Sequence, residues 1–108
     1  MSALPNSVIS IEALRAAEQN LALVRWLEGS SAHIGNEELA GLYLEAVGLT
    51  ADRQTLRDRL DDLERLGLIT IRYEKALRVV SLTARGGDVA LGRLAVEGVR
   101  RPGPDCAY

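Results

Sequence analysis

Residues 60–86 read LDDLERLGLITIRYEKALRVVSLTARG, and the fold turns on how this stretch is divided. Leu60 and Leu63 stand at helical spacing, Leu56 extends the same apolar face, and Gly67 follows Leu66 as a residue suited to ending a helix. The period then changes. Leu68–Tyr73 and Leu77–Leu82 are rich in β-branched residues and are separated only by Glu74, Lys75 and Ala76, which predicts a hairpin with a short loop. That loop holds neither Gly nor Asn, so its turn type stays open. Thr83 is placed to cap a last helix over residues 84–96, with Ala90, Leu91 and Leu94 facing inward. Gly86, Gly87 and Gly92 weaken that helix intrinsically and predict close packing against a neighbouring element.

Working back toward the N-terminus, Thr50 is a suitable N-cap for a helix over residues 51–66. Its outer face carries Arg53, Gln54, Arg57, Asp58, Asp61, Asp62 and Arg65. An earlier helix starts at Asn36, with Glu37 and Glu38 opposing the helix dipole in its first turn. Leu39, Leu42, Tyr43 and Ala46 form its apolar stripe and Gly48 ends it. The first helix spans residues 9–28, with Ser10 as N-cap and Ile11, Leu14, Leu21, Val24 and Leu27 at helical spacing. Trp26 reads as a core residue in preference to a partner contact. His33 lies in the linker after Gly29, with no Cys, Asp or Glu at metal-ligand spacing around it, and reads as a loop residue. From Gly98 the tail GVRRPGPDCAY is rich in turn residues and predicts an extended or disordered segment. The expected organisation is one domain over residues 1–97 and a tail over residues 98–108.

A chain of 108 residues is of one-domain size, and 47% hydrophobic with 26% charged residues is an ordinary globular balance. With one Trp, three Tyr and no Phe, the core must come from Leu, Val, Ile and Ala. Cys106 is the sole cysteine, so no internal disulfide is available and a role for its thiol is not expected. No secretory pattern is read at residues 1–6, and no apolar run approaches the ~18 residues that cross a bilayer, so the cytoplasm is expected and a membrane is not. The net charge of −2 argues against a strong non-specific polyanion binder. Its distribution is uneven: residues 1–49 carry two Arg against six Glu, whereas residues 50–108 carry eleven Lys/Arg against nine Asp/Glu.

The element order is helix, helix, helix, hairpin, helix: an α+β, mostly helical chain. With a Leu-Gly helix end before the hairpin and Leu82-Thr83-x-x-Gly86 after it, it resembles bacterial winged helix-turn-helix regulators, including the MarR and PadR types. The resemblance implies three helices, a two-stranded β-hairpin wing and a C-terminal helix. A narrower likeness covers about Leu60–Pro104. Leu82, Thr83, Arg85, Gly86, Asp88, Val89, Ala90, Gly92 and Arg93, then Gly98, Val99, Arg100, Arg101 and Pro102, are similar to the small winged-helix proteins of Mu-like bacteriophages and prophages. That family implies a phage setting and the fold, and supplies no functional residues to carry over.

Function then rests on chemistry. In a helix-turn-helix the third helix enters the major groove with its N-terminal half toward the bases. Here that half presents Arg53, Gln54, Thr55, Arg57 and Asp58, and Arg and Gln can pair bidentately with guanine and adenine. The wing offers Arg72, Lys75 and Arg78 to phosphates, and Arg100 and Arg101 on the tail could follow the backbone or minor groove. Double-stranded DNA is the expected partner, with a possible homodimer, and a phage or host protein is the alternative. Against DNA, Arg57, Asp61 and Arg65 at i, i+4, i+8 would form a salt-bridge ladder on a solvated face, and the acidic first half and the carboxylates of the third helix motivate the alternative. Catalysis is not expected. The chain has no phosphate-binding Gly-rich loop, and its single His and single Cys compose no nucleophile–base pair. No metal or small-molecule cofactor is expected.

Overall fold

In a computed structural model describing residues 10–104 and 106–108, Ser10 opens the first helix by accepting the Ala13 N–H at 3.0 Å. The helix, α1, runs Ile11–Glu28, and residue 9, expected as its start, lies outside the described residues. A 3-10 turn over Ser31–His33 leads into β1 (Ile34–Asn36), then α2 (Glu37–Ala46) and α3 (Arg53–Arg65). β2 (Ile69–Glu74), β3 (Leu77–Leu82) and α4 (Ala84–Ala90) complete the order. The chain is α+β and mostly helical, with four α-helices and one three-stranded antiparallel sheet among the described residues.

The sheet is larger than expected. Its strand order is β1-β3-β2, so the segment expected as linker supplies a third strand that pairs Ile34 with Ser81 and Asn36 with Val79. Three residues are too few for an alternating pattern to show. Asn36 ends the strand and caps α2 by accepting the Leu39 N–H at 2.9 Å. A side chain at Gly35 would collide with the indole of Trp26, which is part-buried and stacked on Tyr43 at 6.0 Å between ring centroids. The hairpin closes from Glu74↔Leu77 through Lys75 and Ala76, and Lys75 takes a φ of 60°. The outer edge of β2 is partly occupied: the Ile71 N–H donates to Glu64 of α3 at 3.3 Å.

The core joins Leu21, Leu23, Val24 and Leu27 of α1 to Leu56, Leu60 and Leu63 of α3, with Leu68, Ile69, Val80 and Val89. The expected face of α3 is thus the buried one, although Asp52 rather than Thr50 caps the helix, accepting the Thr55 N–H at 2.7 Å. Five residues expected to face inward are instead exposed: Ile11, Leu14, Leu39, Leu42 and Leu91. The helical spacing holds, but these positions lie on sides of their helices that no other element covers among the described residues.

The junction that organises the fold is held by hydrogen bonds. Thr83 donates its N–H to Leu68 O at 3.0 Å and its hydroxyl to Gly67 O at 2.7 Å, while that hydroxyl accepts the Gly86 N–H. Arg85 Nε donates to Leu66 O at 3.0 Å. A Cβ on Gly86 would collide with the Leu68 carbonyl, so close packing is the reason for that glycine. Gly87 meets nothing closer than 3.9 Å, and Gly92 serves a different purpose. At φ 79° it ends α4 after Ala90, six residues short of the expected boundary.

From Gly98 the described residues form no helix or strand, and the chain runs back along α1. Asn20 Nδ2 donates to Gly98 O at 2.9 Å, the Arg100 N–H donates to Ala17 O at 3.2 Å, and Val99 joins the core. The Tyr108 hydroxyl donates to Glu18, and Cys106 Sγ donates to Tyr108 O at 3.2 Å. Among the described residues no helix is long and apolar enough to cross a membrane, and no group of three His, Cys, Asp or Glu could hold a metal ion.

Candidate nucleic-acid interface

α3 lies between α2 and the β2–β3 hairpin, and the polar residues of these elements meet at Glu37. As the first residue of α2, Glu37 is placed by the β1–α2 junction with its side chain 2% exposed. Arg57 of α3 donates to both of its carboxylate oxygens, at 2.9 and 3.1 Å, and the backbone N–H of Arg78 on β3 adds a third bond at 2.9 Å. Arg53 approaches to 3.6 Å. The Arg57 hydrogen bonds, with those of Arg78 and the charge of Arg53, hold the Glu37 carboxyl below its ordinary pKa despite the opposing effect of burial. One carboxylate therefore ties α2, α3 and β3 together.

Arg78 is also turned inward. Its side chain is 12% exposed, Nη1 donates to Asp61 at 2.8 Å, and the guanidinium lies over the Tyr73 ring at 5.8 Å. The ladder expected along α3 does not form, because each of its members has a different partner. Arg57 goes to Glu37, Asp61 goes to Arg78, and Arg65 goes back one turn to Asp62 at 2.9 Å. Glu37, the hub of this arrangement, was read only as a helix-dipole residue. Its partner is twenty residues away in sequence, and no local pattern reports such a pair.

The remaining site residues are scattered. Arg53 opens α3 with its side chain 61% exposed, shared between Glu37 and Glu38. Gln54 is exposed and donates to Asp58 at 2.9 Å. Thr55 is half-buried and faces α1 across a polar hollow that Gln19 and Arg59 also line, away from the hairpin. On the β2–β3 hairpin, Arg72 is exposed and approaches Glu74 at 3.4 Å, and Lys75 is exposed at the turn. Arg100 is held on Glu18 at 3.1 Å, on α1, while Arg101 is exposed. Arg53, Arg57 and Arg78 thus converge on one carboxylate, and Arg100 stands apart from them against α1.

By helical spacing, Gln54, Asp58, Asp61 and Arg65 form the outermost ridge of α3, and all four are exposed. Two carboxylates on that ridge interrupt any positive stripe running from helix to wing.

No family model and no solved structure matches this chain. It is 41% identical over 69 residues to the uncharacterized protein gp26 of Escherichia phage Mu, an alignment spanning 64% of this chain and 72% of that protein.

Proposed function

This chain belongs to the family of gp26 of Escherichia phage Mu, and on that premise we propose that it is a winged-helix protein of a phage or prophage that binds double-stranded DNA in the cytoplasm as a transcriptional regulator. In this reading of the order α1–β1–α2–α3–β2–β3, α3 is the recognition helix, the β2–β3 hairpin the wing and β1 the short strand that completes its sheet. One observation carries the reading. The N-terminal turn of α3 and the tip of the adjoining hairpin both present exposed cationic or amide side chains, namely Arg53, Gln54, Arg72 and Lys75. In this reading Arg53 and Gln54 face base edges, and Arg72 and Lys75 contact phosphates. Arg57 and Arg78 keep helix and wing at a fixed angle, and Arg101 is the tail residue free to reach a phosphate.

So few cations give each chain a weak electrostatic grip, with log K falling by about 0.9 per phosphate contact per decade of salt. Two copies on a two-fold site would double those contacts, so a homodimer is part of the proposal. Fluorescence anisotropy with random-sequence duplex at low salt tests the reading. Binding should weaken in Arg53→Ala and in Arg72→Ala/Lys75→Ala, both of which leave the Glu37–Arg57 pair in place. No binding by the wild-type chain would overturn it. The acidic ridge at Asp58 and Asp61 supports a second reading, a protein-interaction module, and that would then take its place.

A further inference from the structure

Away from the wing, α2 presents a face that the DNA reading leaves unused. Glu38, Leu39, Leu42, Glu45 and Ala46 are all exposed and fall on one side of the helix by spacing. Leu39 and Leu42 are 51% and 61% exposed, and α2 carries no Lys or Arg. Beside them a groove of about 230 Å³ runs between α2 and the start of α3. Leu42, Ala51 and Leu56 line it, with Glu38 and Glu45 on its walls and Arg53, beside Glu38, as its one cation among the described residues.

Gly41 also lines this groove, and the fold gives no reason for a glycine there. Its φ is not in the left-handed region, and an added Cβ would make only ordinary contact with Leu56 Cδ2 at 3.6 Å. Glycine in a helix interior costs stability relative to alanine. What its missing methyl provides is depth in a groove walled by the exposed Leu42 and by Glu38, Glu45 and Arg53.

We propose that this groove receives an amphipathic, basic helix of a partner protein, whose apolar ridge seats on Gly41, Leu39 and Leu42 and whose flanking Lys or Arg side chains meet Glu38 and Glu45. A helix fits because the leucines stand three residues apart and a helical ridge packs into such a row. The partner is basic because the face is acidic, and the same carboxylates repel a phosphate backbone. The proposal takes nothing from the β2–β3 hairpin and shares with the DNA reading only Arg53, which lines the groove and approaches Glu38 at 3.6 Å.

The test titrates the full chain with a synthetic helical peptide bearing leucines on one face and lysines on its flanks. A counterpart with glutamates in place of lysines serves as control, and amide shifts and affinity are read by NMR. The lysine peptide should shift the amides of α2 and of Thr50–Ala51, and the glutamate peptide should not bind. Glu38→Lys/Glu45→Lys should reverse that preference. Gly41→Ala should raise the melting midpoint while weakening the lysine peptide by about fivefold or more, since a methyl then occupies the seat. Equal binding of both peptides, shifts centred elsewhere, or unchanged affinity in Gly41→Ala would overturn the proposal. So would a dimer of the chain that dissociates in Leu42→Lys, which would make a second copy the occupant.

Discussion

A carboxylate with almost no water around it is tolerable only while its cations stay in place, and Glu37 has bidentate Arg57, the Arg78 N–H and Arg53 around it. Glu37→Gln removes the charge but not the buried partners, and should destabilise the chain by about 2–3 kcal/mol in urea denaturation. The pH dependence has a fixed sign. Because the folded-state pKa of Glu37 lies below its ordinary 4.5, its contribution is fully present above that value and is lost as pH falls through the lowered one. The gap between wild type and Glu37→Gln should therefore hold from pH 7 to 5 and close on further acidification. Denaturation curves across that range check it; a gap unchanged well below pH 4 would show that the charge is not what matters. At this scale the sequence identified which side chains are cationic but not their partners. Arg57 could be placed on the outer half of α3, yet its pair with Glu37 exists only because α2 crosses α3 there.

At the scale of elements, two glycines predict opposite responses to the same substitution. Gly41→Ala should stabilise the chain by about 0.5–1 kcal/mol, because the helix gains propensity and the added methyl meets only Leu56 at 3.6 Å. Gly86→Ala should destabilise it by about 1–3 kcal/mol, because its methyl would strike the Leu68 carbonyl, a backbone atom that cannot turn away. Thermal melts of the two variants decide both. The hairpin offers a third case: Lys75 takes φ 60° without being Gly or Asn. Lys75→Asn should gain about 0.5 kcal/mol, since Asn visits that region at lower cost, while removing a wing charge. A melt that does not rise would show that the turn relaxes by other means. The helices and the hairpin were legible because each is long enough to show its period, and Leu56, Leu60 and Leu63 do form the buried face. β1 was not, because three residues show no period and its pairing depends on β3, more than forty positions later. α4 is shorter than its composition predicts because Gly92, a packing residue by composition, takes a positive φ and ends the helix.

At the scale of the whole molecule, the described tail is a strap that holds the end of the chain against its first helix. Burial, together with the hydrogen bond to Glu18, pushes the Tyr108 phenol up to about 12 from an ordinary 10.0. The group is raised in the folded state, so its contribution is intact below pH 10 and disappears as pH climbs toward 12. An absorbance titration should find two phenols ionising late, of which Tyr108→Phe removes one and leaves Tyr43, which burial also raises; a late ionisation unchanged in that variant would show that Tyr108 is not held by Glu18. The tail composition predicted its lack of regular structure, but not that Val99 is buried and Arg100 bound to Glu18, since both depend on where α1 runs. The other long-range consequence lies at the outer edge of the sheet. An edge strand with open N–H and C=O groups is a template on which another chain can add a strand and begin a fibril. Glu64 reaches over from α3 to occupy the Ile71 N–H and sets a negative charge at the middle of that edge. One helix carboxylate thus fills a backbone donor of that edge and places a charge beside it, which disfavours the addition of a strand from another copy.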